Sequence, residues 1–113
     1  MNILEIVKAA LGKDAFLGVM PEKPDKAIAL TQYGGSTEAF FDRTVESPNV
    51  QARCRAKTAL EAFAMADEIR GVLDRYVGQG VAIRQITPVL DIGQDDKGRR
   101  EYTINFSINP IGG

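Results

Sequence analysis

Residues 49–77 constrain this chain more than any other stretch, because two different periodicities follow one another there without a gap. Val50, Ala52, Cys54 and Ala56 alternate with Gln51, Arg53, Arg55 and Lys57. A period of two, apolar on one side and basic on the other, predicts a strand with one face toward a core. Thr58-Ala59-Leu60-Glu61 then forms a capping box, with Thr58 as N-cap and Glu61 three residues on. Apolar residues at 62, 66, 69, 73 and 76 share one helical face, and Gly78 is placed to close the helix with a left-handed residue. A strand that runs directly into an amphipathic helix has to find more strands beside it and lay the helix on them.

The rest of the chain supplies those strands. Residues 2–11 read as a short helix: Asn2 is its cap, Glu5 sits at the capping-box position, and Gly12 ends it. At this length the helix needs a surface to lie on. Residues 15–20 are a short strand and 21–25 a loop, since Pro21 and Pro24 lack a ladder donor. Residues 27–33 return to strand, and Gly34-Gly35-Ser36 read as a turn. The turn has neither the spacing nor the lysine of a phosphate-binding loop. Residues 37–48 hold the adjacent pair Phe40 and Phe41, followed by Arg43. They read either as a long connection anchored by aromatics or as an arm that packs on a neighbouring subunit.

Residues 81–92 are extended, but their alternation changes phase between Ile83 and Ile86, and Pro88 cannot sit in a fully paired position. A hairpin with Asp95-Asp96-Lys97-Gly98 at its tip leads into the clean alternation of Tyr102, Ile104, Phe106 and Ile108. The order of elements predicts a single α+β domain over residues 1–113: a mostly antiparallel sheet with one long and one short helix packed on it.

Function classes are narrowed mainly by what is missing. The chain has 113 residues, no histidine and one cysteine. Without histidine, neither Cys54 nor any serine has the usual general base, and the commonest transition-metal ligand is gone. Cys54 is in phase with the core-facing residues of its strand. Asp91, Asp95 and Asp96 lack the offsets of a calcium loop. Asp67, Arg70 and Asp74 are spaced as a charge-laced solvent face of the helix. The expectation is no catalysis, no cofactor and no metal. A formal charge of −1, from 14 basic and 15 acidic residues, provides no global attraction to nucleic acid or membrane. No apolar run reaches the ~20 residues of a membrane span, and no signal-peptide pattern opens the chain. These features point to a soluble protein of a reducing cytoplasm. The one local electrostatic feature is the basic side of the 49–57 strand. Arg53, Arg55 and Lys57, with Arg43 near, are open to three readings: a thin nucleic-acid patch, a subunit or partner interface, or a solvated face.

Three segments carry a family resemblance: PEKPDKAIALTQYGG at 21–35, VQARCRAKTALEAFAMADEIRGVL at 50–73 and IGQDDKGRREYTINFSI at 92–108. In this order and spacing they resemble the small minor capsid proteins of tailed bacteriophages and prophages, a group similar to phage tail terminator, or tail completion, proteins. The resemblance spans about 15–109 and rests on scaffold patterns. It implies a tail-terminator-like α+β subunit that assembles with itself into a ring, commonly a hexamer, at the head-proximal end of the tail. Such a ring ends growth of the tail tube and serves head–tail joining. Its implied partners are the tail tube protein and the head connector or neck protein, with DNA passing through the lumen unbound, in a virion assembled in the bacterial cytoplasm. Residues 36–41, STEAFF, depart from the proline-rich stretch usual at this place in the family. The alternative is a small regulatory or nucleic-acid-binding module without catalysis, which the charge balance disfavours.

Overall fold

The computed structural model describes residues 2–39 and 44–111. Its elements are α1 (Ile3–Leu11), β1 (Phe16–Leu17), β2 (Ala27–Ala39), β3 (Thr44–Ala56), α2 (Ala59–Leu73), β4 (Val77–Gly78), β5 (Val81–Gln85), β6 (Leu90–Gln94) and β7 (Arg100–Pro110). The strands make one curled sheet in the order β1-β2-β3-β7-β5-β4, with β6 also on β7. Every pairing is antiparallel except that of β1 with β2. Both helices pack on the same face, so the α+β architecture predicted from the order of elements is the one observed.

The strand-to-helix stretch forms the centre of this arrangement. Register lines up Ile28, Cys54 and Tyr102 in one row and Leu30, Ala52 and Ile104 in the next. Val50, Ala52, Cys54 and Ala56 are all buried, as are Ala62, Met65, Ala66, Ile69 and Leu73 of α2. The residues of β3 in this set are small for a reason. Ala52, Cys54 and Ala56 face Ala62 and Ala66, which lets the helix backbone come close enough for the Cys54 thiol to reach the Ala62 carbonyl at 3.4 Å. The bulk comes from the flanks: Leu30 on one side, Phe106, Ile108 and Ile83 on the other, all nearly or fully inaccessible. Alternating small and large residues across the sheet lets the helix and sheet layers pack closely.

Both predicted caps form. Asn2 accepts from the Glu5 amide at 2.9 Å and Gly12 is left-handed at φ 69°, while Thr58 accepts from the Glu61 amide at 3.2 Å. The far end of α2 does not follow the prediction. The helix stops at Leu73 rather than running on to Gly78, with Asp74 extended at the cap. The chain is pulled off the helix by β5: the Asp74 carboxylate accepts the Gln85 amide at 3.0 Å and the Arg75 amide donates to the Ile83 carbonyl at 2.9 Å. Val77 and Gly78 then pair with β5 instead of closing a helix.

Two more expectations are corrected. Gly34 and Gly35 do not turn the chain. They take φ 41° and 110° and put a register shift into β2, which continues to Ala39 opposite β3. A Cβ on Gly35 would lie 2.4 Å from the Ser47 carbonyl oxygen, so this bulge admits only glycine. The extended segment 81–92 is two strands. β5 pairs with the C-terminal half of β7 and β6 with its N-terminal half, and the break between them falls at the phase change around Ile86 and Pro88.

Candidate assembly surfaces

On the side of β3 away from the helices, Arg53 and Arg55 project as the alternation requires. Their surroundings separate them. Arg53 lies diagonally across from Glu101 of β7 and grips it with two bonds, Nε to Oε1 at 2.7 Å and Nη2 to Oε2 at 2.9 Å. Glu101 is almost fully buried while Arg53 stays 40% exposed at its side chain. This is a bidentate pair with one member in the protein and the other at its surface.

Arg55 is buried at 3% exposure. Its guanidinium donates to the carbonyls of Pro21 at 2.7 Å, Pro24 at 2.5 Å and Asp25 at 2.9 Å, with a longer contact of 3.4 Å to Glu22. The reason is local. Loop 21–25 carries two prolines and turns its carbonyls inward, and a planar fork with several donors satisfies what no ladder can reach. Arg99 completes the clamp from the β6–β7 hairpin. It donates to the Glu22 carbonyl at 2.7 Å, lies 3.3 Å from Asp25 and bonds Asp95 at 2.7 Å. Asp95 in turn holds the hairpin tip, accepting from the Lys97 and Arg99 amides at 3.0 and 2.9 Å. Partial burial of Asp95 works to raise its pKa, but the Arg99 and Lys97 amides and the Arg99 guanidinium outweigh this and hold it below the usual value. Glu22, bonded to Lys97, is also lowered. Lys57 lies past the end of β3, 75% exposed, 3.6 Å from Asp25.

Of the basic group read from the sequence, then, the fold brings Arg53, Arg55 and Lys57 to one side and engages two of them internally. Arg55 has no guanidinium face left for a neighbour. The nucleic-acid reading loses most of its charge by the same fact. The partners that sequence reasoning missed are Glu22, Asp25, Glu101 and Arg99. Their only signal was an excess of acid in segments remote along the chain, with no local spacing to connect them to β3.

The candidate contact residues Phe40, Phe41 and Arg43 lie outside the described residues. The strands that lead to and from them do not. Beyond the bulge, Ser36 to Ala39 pair with Ser47 to Thr44 as a two-stranded ribbon. All of residues 31–39 are exposed, and among the described residues no third strand pairs with either edge of the ribbon beyond Asn49. The molecule is correspondingly long, 51 × 24 × 22 Å. The described part of the segment is a protruding two-stranded ribbon rather than a connection anchored to the core. At its root Tyr33 donates to Asn105 at 2.7 Å, and Asn105 donates to Thr87 at 3.1 Å, so the polar face of the sheet is closed there by side-chain bonds.

The thiol of Cys54 is pushed up to about 11, chiefly by burial. It behaves as a core atom. Among the described residues, no group of three or more Cys, Asp or Glu side chains is arranged to hold a metal ion, and no helix is long and apolar enough to cross a membrane.

Comparison with protein families adds the decisive observation: the model of the bacteriophage tail terminator protein matches residues 5–109, nearly the whole chain. The chain belongs to the bacteriophage tail terminator family. The match takes in α2, the arm, most of α1 and all but the last residue of β7, so family membership applies to the fold and not to one segment. It assigns the protein a structural role in completing a phage tail, as a component of the virion that works against other phage proteins. Comparison with curated proteins gives no match.

Proposed function

We propose that this tail terminator acts as a closed ring of identical subunits, a hexamer, at the head-proximal end of the tail, where it ends growth of the tail tube and serves head–tail joining. The observation that carries the reading is the arm. A two-stranded ribbon without a third strand beside it is at best marginally stable alone in water. A fold that extends one well past its core has a use for it in a larger assembly. Its partners in this reading are further copies of itself, the tail tube protein on one face and the connector or neck protein on the other. DNA crosses the lumen without being held, which suits a chain of formal charge −1. Phe40, Phe41 and Arg43, between the arm's two strands, and the exposed parts of Arg53 and Lys57 are the proposed contact residues. Arg55 supports the surface from beneath.

Electron microscopy of the purified protein, alone and with tail tube protein, tests this. Rings and capped tubes of uniform length are expected, and tails assembled without the protein should overrun their normal length. A protein that stays monomeric at all concentrations, with tube protein present, and whose loss leaves tail length unchanged would overturn the proposal.

A further inference from the structure

The arm's docking place can be sought among the charges that the fold leaves unused. Arg53, Arg70, Arg99 and Arg100 are each in an ion pair, and Arg55 is bonded to carbonyls. Among the described residues, Arg75 and Arg84 are the arginines whose side chains make neither an ion pair nor a hydrogen bond. Both are exposed, and both line one open groove of about 350 Å³ on the β5 side of the sheet, together with Ala82, Ile83 and Asn109. The groove is shallow, carries two arginines and has Ala82 and Ile83 between them and Asn109, a form that fits an extended segment better than a compact ligand.

The arm has the opposite charge. Glu38 and Glu46 are exposed, and neither is in an ion pair or a side-chain hydrogen bond among the described residues. Register sets Glu38 against Val45 and Glu46 against Thr37, so the two carboxylates emerge from opposite faces of the ribbon. A ribbon entering the groove edge-on therefore offers a carboxylate to either wall. The groove also sits level with the arm's root: Asn49 pairs with Ser107, and Ser107 with Arg84. Arm and groove are on different parts of one chain, so their contact is heterologous, the kind that closes into a ring under rotation.

We infer that the acidic β2–β3 arm of one subunit docks in the Arg75/Arg84 groove of the next copy. This rests on the ring reading above and names its contact. Charge reversal at four exposed positions tests it while leaving the core alone. Glu38→Arg/Glu46→Arg and Arg75→Glu/Arg84→Glu should each weaken self-association by at least about tenfold in sedimentation velocity, since each sets like charge against like. An equimolar mixture of the two variants should recover it, because the wild-type arm of one meets the wild-type groove of the other, and the two reversed surfaces also match. Wild-type association by either variant alone would overturn the inference and leave the ring reading intact. So would a mixture that stays dissociated while both variants keep the wild-type urea midpoint. Failure of the wild-type protein to associate, even with tube protein, would overturn the ring and this contact together.

Discussion

Arg55 is the residue whose replacement separates a structural from an interfacial role most cleanly. Arg55→Met keeps the length and the apolar stem and removes every donor. Three short bonds disappear, to the Pro21, Pro24 and Asp25 carbonyls. A hydrogen bond from a charged donor is worth about 1.5–3 kcal/mol net, which sets a ceiling of about 5–9 kcal/mol. Two effects reduce it. The guanidinium no longer has to be desolvated, a relief of several kcal/mol for a buried ion. Loop 21–25 is also at the surface, so its carbonyls regain water once it lifts. A net loss of about 2–4 kcal/mol remains, a large share of the 5–15 kcal/mol typical of a domain. With a urea m-value of about 1.5 kcal/mol/M, the midpoint should fall by about 1–3 M. Urea titration at a concentration where the protein is monomeric gives the answer, and amide exchange over residues 18–26 should rise ahead of the rest. A midpoint within about 0.3 M of wild type, with self-association abolished, would refute the clamp and return Arg55 to the interface.

Three further outcomes follow from the same geometry. The Cys54 thiol, raised to about 11 in the fold against about 8.5 when unfolded, contributes stability that is complete below about pH 8.5 and disappears as pH rises through 11. Wild type should therefore lose up to about 3 kcal/mol more than Cys54→Ala between pH 8 and 11 in paired urea titrations. Glu22 and Asp95 have lowered pKa values, so their contribution is present above the ordinary carboxylate range and is lost as pH falls through their folded values. Glu22→Gln/Asp95→Asn should flatten the fall in urea midpoint between pH 5 and 2.5, and an unchanged slope would count against the hairpin lock. Gly35→Ala sets a Cβ against the Ser47 carbonyl and the Pro48 Cα at 2.4 and 2.6 Å. It should expose the arm amides to exchange and block self-association while moving the urea midpoint of the body by less than about 0.5 M.

Much of the fold was legible because it is locally determined. The β3–α2 unit is specified by two periodicities and a capping box, all within one short window, and α1 by its two caps. What was not legible depends on contacts between distant segments. Nothing around Gly78 reveals that β5 will take the chain off α2 four residues early. The bulge at Gly34 and Gly35 reads as a turn until β3 is known to run alongside it. The phase change near Ile86 marks a break, but only β7 shows that both halves share one edge.

The candidate surface illustrates the same limit in its functional form. Alternation along β3 gives Arg53, Arg55 and Lys57 one direction, and no local feature distinguishes them. Their fates are decided 48 residues away for Arg53 and some 30 residues away for Arg55. One is half engaged, one is enclosed, and Lys57 stays mostly in water. A basic stripe is thus a statement about supply, and the fold decides how much of it is left over for a partner. Applied to the arginines and to the arm's acids among the described residues, that test moves attention from the centre of the sheet to its periphery: to Arg75 and Arg84 beside β5, and to Glu38 and Glu46 on the arm. Among the described residues, none of these charges has an ion-pair partner in the subunit that carries it. In a family whose work is done by assembly, they are where the next subunit is to be looked for.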